Sequence, residues 1–148
     1  MVSWMLSTVA LANPYAPTVP LAPSVDAPPF RWIVPERAVD VVEVVLTVPA
    51  EHLVYRDMLG IRAVEGTIDT PVFPEARLRP DLYDPGEWRA SFDADVRVKV
   101  PVKAVGATGQ VVLELTQQGC RAGLCWPIVT TRHPVAVTLT PKKESTPP

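Results

Sequence analysis

Two cysteines and two histidines among 148 residues leave little material for several kinds of chemistry. Structural zinc calls for four ligands, and Cys120, Cys125 and His133 make an incomplete set. His52 and His133 stand far apart, and no Ser-His-Asp arrangement is suggested. No phosphate loop or glycine-rich dinucleotide fingerprint occurs, so no cofactor is expected. Lys and Arg number 14 against 16 Asp and Glu, a net charge of −2. Without a basic run or interleaved aromatics, nucleic acid is not an expected partner. No stretch approaches the roughly 20 apolar residues of a membrane-spanning helix.

What the chain does have is proline and valine. Half of its 18 prolines gather at residues 14–35 and at the last two positions. The first twelve residues, MVSWMLSTVALA, are apolar and end in the small-x-small triplet Ala10-Leu11-Ala12. They read as the back half of a secretory signal, cleaved near Asn13, although the positive start of such a signal is missing. An apolar tail is the competing reading. Residues 13–29 read as a Pro/Ala-rich linker and residues 141–148 as a flexible tail, with one domain expected over residues 30–140.

Within that domain the signal is strand after strand. Val42, Val44, Leu46 and Val48 alternate with Glu43 and Thr47, as do Val96, Val98, Val100 and Val102 with Arg97 and Lys99. Val111, Leu113 and Leu115 continue the pattern, and Val135, Val137 and Leu139 close it. Shorter strands are expected at residues 52–56 and 61–65. Pro71 and Pro74 confine residues 67–73 to an edge, and Pro101 suggests an edge or a bulge. Gly106 to Gly109 should turn a hairpin. Residues 75–87 are expected to be a long irregular loop. Trp88 and Phe92 are expected in the core. Seven to nine strands with Pro and Gly breaks predict an all-β sandwich of two sheets, with a small barrel as the competitor.

The two cysteines lie in QQGCRAGLCWP with four residues between them. A bridge across so small a ring stabilises by roughly 1–2 kcal/mol in the loop-entropy account, little for a domain with its own core. Gly119 and Gly123 loosen the backbone around Cys120. Trp126 could shield the second sulfur, Pro127 stiffens the exit, and Arg121 could stabilise a thiolate. Dithiol–disulfide exchange through Cys120 and Cys125 is the leading reading. A static disulfide in a binding or structural sandwich is the alternative, and metal binding a distant third. Glu75, Asp81, Asp84 and Glu87 are candidates to relay a proton if their loop folds over the cysteines. Leu82 and Tyr83 form an apolar pair in that loop, a candidate lid. Tyr55, in LVYRD, could bring a hydroxyl to the site or simply fill the core rim.

The stretch LTQQGCRAGLCWPIVTT resembles the Gln-Gly-Cys…Cys-aromatic-Pro segment of the N-terminal periplasmic domain of the thiol:disulfide interchange protein DsbD. WIVPERAV, LVYRD and PDLYD followed by RVKVPV support the resemblance, which covers about residues 30–140. It implies an immunoglobulin-like β-sandwich with a cysteine-bearing hairpin and a cap-like loop. It implies a periplasmic or otherwise extracytoplasmic shuttle, soluble or tethered at its N-terminus. Electrons would arrive from a thioredoxin-like domain served by a membrane electron-transfer protein of the DsbD/CcdA type. They would pass to a periplasmic disulfide isomerase or a cytochrome-maturation thioredoxin. By the same resemblance Cys125 makes the mixed disulfide and Cys120 resolves it. Leu82 matches a shielding phenylalanine, with Tyr83 beside it as a substitute, and Tyr55 matches the family's Tyr-Arg step. Two departures stand out: the family usually has five residues between the cysteines, and Pro80-Asp81 replaces a pair of carboxylates.

Overall fold

The computed structural model describes residues 27–142. The signal remnant expected over residues 1–12, most of the linker and most of the tail lie outside the described residues. Thirteen strands follow in order: β1 (Arg31–Ile33), β2 (Arg37–Val39), β3 (Val41–Thr47), β4 (Leu53–Tyr55), β5 (Gly60–Glu65), β6 (Thr67–Ile68), β7 (Arg77–Pro80), β8 (Trp88–Phe92), β9 (Val96–Ala104), β10 (Gln110–Gln117), β11 (Gly119–Arg121), β12 (Leu124–Cys125) and β13 (Val129–Thr138). One 3-10 turn, Arg56–Met58, interrupts them.

The long valine alternations build the core. On β3 and β9, Val42 faces Val100, Val44 faces Val98 and Leu46 faces Val96, all fully buried. The intervening positions carry Glu43 opposite Lys99 and Arg97 opposite Val45, on the solvent side. On β10 and β13, Val111 pairs with Val135 on the buried face. The two sets belong to one eight-stranded sheet of order β5-β10-β13-β2-β3-β9-β6, with β1 added beside β3. Each set buries one face only, and both faces belong to one apolar cluster. The sheet therefore folds over at β2, where the pairing with β13 is parallel, and closes on itself as two layers. Such two-layer packing of alternating strands is the immunoglobulin-like sandwich expected from the sequence.

A second sheet of order β12-β11-β4-β8-β7 carries the cysteines. Its β7 corrects the expectation of an irregular loop over residues 75–87. Arg77 to Pro80 pairs in register with Ser91 to Trp88. Arg77 and Leu78 are both exposed, with Leu78 at 66%, so this strand shows no in–out alternation to read. The irregular part is shorter, running between Pro80 and Trp88. Trp88 is 63% exposed and not core, because it sits where β8 begins, beyond the packed interior; Phe92, at the other end of β8, is buried as expected.

The proline expectations are met in detail. β6 is a two-residue edge strand, and the edge proline Pro71 lies just beyond it. Pro101 sits within β9, and the missing N–H faces this short strand, where the β6–β9 register shifts by a bulge. Asp69 N–H still reaches the Pro101 carbonyl at 2.8 Å, so the acceptor is used where the donor is absent. The expected hairpin turn closes with Gly109 N–H on the Gly106 carbonyl at 3.0 Å.

Candidate functional site

Cys120 and Cys125 are bonded as a disulfide, directly opposite one another on β11 and β12. The spacing follows from the turn. Arg121 pairs with Leu124, which leaves Ala122 and Gly123 as a two-residue loop. Both have positive φ, 48° and 81°, the mark of the type I′ turn that matches the twist of a tight hairpin. A closing pair flanks such a loop, and the next pair outward is the close, non-hydrogen-bonded kind. The cysteines occupy that pair, with Cα atoms 4.0 Å apart. Four intervening residues are thus the number a two-residue hairpin needs. Gly123 suits its position; Ala122 does not, since a left-handed L-residue carries a steric penalty. Ala122→Asn is therefore expected to stabilise the oxidised protein by about 0.5–1 kcal/mol, read as a higher urea midpoint, and an unchanged or lower midpoint would contradict the turn argument.

The five-stranded sheet has two faces with different duties. Val54 and Phe92 point into the core cluster, and Gly119 shares their side. Cys120, Leu53, Tyr55 and Ser91 alternate to the other side, together with Cys125. The disulfide therefore lies on the outer face, away from the main core. It is nevertheless unequal: Cys120 is 1% exposed, whereas Cys125 is half-buried.

The segment between β7 and β8 covers this outer face. Asp81 is its keystone. Its buried carboxylate accepts the backbone N–H of Tyr83 at 2.7 Å and of Asp84 at 3.1 Å, folding the loop upon itself. Arg89 reaches the other oxygen at 3.0 Å. The Tyr83 N–H first, and then Arg89, hold the Asp81 carboxyl below the ordinary aspartate range. Arg89 also bonds Asp57 at 2.7 Å and lies 3.7 Å over the Tyr55 ring. Tyr55 in turn accepts the Leu82 N–H at 3.3 Å through its hydroxyl. From this base the Tyr83 side chain extends to the hairpin. Its hydroxyl donates toward the Gly123 carbonyl at 3.0 Å and stands 3.4 Å from Cys125 Sγ. Beside the cap an open groove of about 700 Å³ is lined by Leu53, Tyr55, Arg79, Leu82 and Pro85, among others.

The disulfide thus stands at a hairpin tip with the cap loop reaching it through Tyr83. The family described as thiol:disulfide interchange protein DsbD, N-terminal, matches residues 19–136. The chain belongs to this family. Two solved structures share the DsbD N-terminal fold. One is the N-terminal domain of Neisseria meningitidis DsbD in its reduced form, with a TM-score of 0.61 and 24% identity over 72% of this chain and 84% of that one. The other is the complex between the DsbD and PilB N-terminal domains of the same organism, again with a TM-score of 0.61 and 24% identity, over 74% of this chain and 87% of that one. No curated protein sequence matches the chain.

Within the DsbD N-terminal frame the candidate residues sort clearly. The Tyr83 hydroxyl reaches the sulfur, and Leu82 is held through its backbone N–H to Tyr55. Tyr55 is buried and its hydroxyl serves the cap. Asp81 is engaged with its own loop and Arg89, and Asp84 accepts the Gly86 N–H at 3.2 Å. Glu75 and Glu87 are exposed. Arg121 is paired with Glu51 at 3.1 Å, both exposed. Strand alternation turns Trp126 away from Cys125 Sγ toward the core side, where its ring lies 5.6 Å from Phe30 and 5.5 Å from His52. Pro127 follows it, exposed. His133 sits on β13 against Thr131, where burial lowers its pKa.

Three residues of the site were not singled out in the sequence for their part in it. Arg89 joins Tyr55, Asp57 and Asp81, and nothing local to its own strand announces that. Phe30 and His52 form the aromatic cluster under β11 with Trp126. Gly119 owes its identity to this cluster and not to backbone freedom, because a Cβ there would overlap the Phe30 ring.

Proposed function

We propose that this chain is a dithiol–disulfide exchange domain of an oxidising, extracytoplasmic compartment, relaying electrons to oxidised thiol proteins through Cys120 and Cys125. The unequal burial of the two sulfurs carries the reading. In the reduced chain the Cys125 thiolate attacks a partner disulfide. A Cys125–partner bond forms, the partner's S–S bond breaks, and one partner sulfur leaves as a thiolate. Cys120 then gives up its proton and attacks Cys125 Sγ. The Cys120–Cys125 bond forms and the second partner thiolate leaves. Two electrons pass to the partner, which becomes a dithiol, and the chain is left as the disulfide seen here. Cys125 is the accessible sulfur and Cys120 the sheltered one, as the two roles require.

A small disulfide at the rim of a sheet also suits oxidising surroundings, where such bonds persist. The partner would be a thioredoxin-like domain, with a membrane electron-transfer protein upstream and a periplasmic isomerase or cytochrome-maturation thioredoxin downstream. The Neisseria complex of DsbD and PilB N-terminal domains supports a protein domain as the direct partner. The sandwich of residues 30–140 would be the exchanging unit, entered through the linker of residues 13–29.

The test is a trap. Cys120→Ala removes the resolving thiol and should accumulate a reductant-sensitive mixed disulfide with an oxidised thioredoxin-like domain, resolved by mass spectrometry at Cys125. Cys125→Ala should accumulate none. The couple should also have a potential above about −300 mV, since a purely structural disulfide lies below it. A trap through neither variant, with a potential well below that value, would leave a static disulfide as the better account.

A further inference from the structure

The Tyr83 hydroxyl has one proton and two acceptors within reach, the Gly123 carbonyl at 3.0 Å and Cys125 Sγ at 3.4 Å. Which acceptor takes it depends on the charge of the sulfur. A disulfide sulfur is neutral and a poor acceptor, so the carbonyl holds the proton in the oxidised chain. A thiolate carries a full negative charge, and charge-assisted hydrogen bonds are roughly twice as strong as neutral ones. We propose that Tyr83 is the hydrogen-bond donor to the Cys125 thiolate, its hydroxyl turning from the Gly123 carbonyl to the sulfur when the disulfide is reduced. This rests on the reading of Cys125 as the exchanging sulfur.

The surroundings favour the assignment. Tyr83 is anchored through its N–H to the buried Asp81, itself tied to Arg89, so its ring is delivered to the hairpin by a braced loop. Arg121, the nearest cation in sequence, is committed to Glu51. The phenol keeps its proton throughout. It steadies the thiolate before attack and returns to the carbonyl as the sulfur–sulfur bond forms. A stabilised thiolate is also a weaker nucleophile, with sensitivity near 0.4–0.5, so the two consequences oppose one another. If the hydrogen bond lowers the Cys125 pKa by about one unit, thiolate at neutral pH rises roughly tenfold, while each thiolate reacts about threefold more slowly. The gain at neutral pH is then about threefold.

That opposition gives the experiment its signature. The full chain carrying Cys120→Ala has Cys125 as its single thiol, and its alkylation by iodoacetamide is followed against pH, with and without Tyr83→Phe. Phenylalanine keeps the ring and loses only the donor. The expected result is a midpoint about one unit higher, a rate about threefold lower at neutral pH and about threefold higher on the alkaline plateau. A cap that merely loosens would raise the rate at every pH and leave the midpoint in place, and that result, or identical profiles, overturns the proposal. A shifted midpoint in a chain that traps no partner keeps the donor and removes the exchange reading. Successful trapping with an unshifted midpoint keeps the exchange reading and removes the donor.

Discussion

Replacing Arg89 with alanine is expected to raise the rate at which dithiothreitol reduces the Cys120–Cys125 disulfide by about tenfold. The reagent must reach Cys125 Sγ, and Tyr83 stands over it. Tyr83 is held by Asp81, and Asp81 by Arg89, which is itself stacked on Tyr55 and bonded to Asp57. One guanidinium thus joins three elements: β4, the turn after it and the cap. Lysine is a poor substitute, because a point charge cannot reproduce a planar fork that bonds two carboxylates and covers a ring. A loss of about 1.4 kcal/mol in the closed state corresponds to a tenfold larger open population. Cation–π contact and two charge-assisted bonds are enough to supply it. Equal reduction rates for the wild type and Arg89→Ala would show that the cap closes without this residue.

Acid should reach the same end by another route. The Asp81 carboxyl is held below the ordinary aspartate range, so it binds its proton less readily in the folded chain than in the unfolded one. Its contribution to cap closure is complete above the ordinary aspartate pKa and is lost as pH falls through the lowered value. Disulfide access, probed with a phosphine reductant that works in acid, should increase across that window in the wild type and much less in Asp81→Asn.

The contrast between what the sequence disclosed and what it concealed has a physical basis. Val42 to Val48 and Val96 to Val102 were readable because a strand buried on one face writes its burial into alternate residues. The cysteine pair was readable because its ring is local, and PDLYD because turn-forming residues flank an apolar pair. β7 was not, since both Arg77 and Leu78 are exposed and leave no alternation. Trp88 misled for the opposite reason: composition places tryptophan inside, while strand position places this one beyond the core. Arg89 was silent because its partners lie at positions 55, 57 and 81, and no period links them. The reach of the Tyr83 hydroxyl to the sulfur was hidden for the same reason, since the Asp81 turn presents it to a hairpin 40 residues further along the chain.

Gly119→Ala is expected to cost about 2–3 kcal/mol of stability, a large loss for one added methyl, because that methyl meets an aromatic ring that cannot yield. The new Cβ would overlap Phe30 at three ring atoms. Phe30 is buried, packs edge-on against both His52 and Trp126, and has its carbonyl bonded by the Gln117 amide at 3.1 Å. The backbone cannot retreat either, since Gly119 pairs with Val54 and its carbonyl accepts the Trp126 N–H at 2.9 Å. Strain would therefore pass along β11 to Cys120, the next residue. The measurement is a double-mutant cycle by denaturation on the oxidised protein. Phe30→Ala alone should destabilise by about 3–5 kcal/mol, through lost burial. The pair Phe30→Ala with Gly119→Ala should be no worse than Phe30→Ala, because the cavity left by the ring accepts the methyl. Additive losses would place the cost of Gly119→Ala in the backbone of β11 and not in the aromatic cluster. Coupling would show that the cluster of Phe30, His52 and Trp126 fixes the residue before the first cysteine, and with it the floor on which the hairpin disulfide rests.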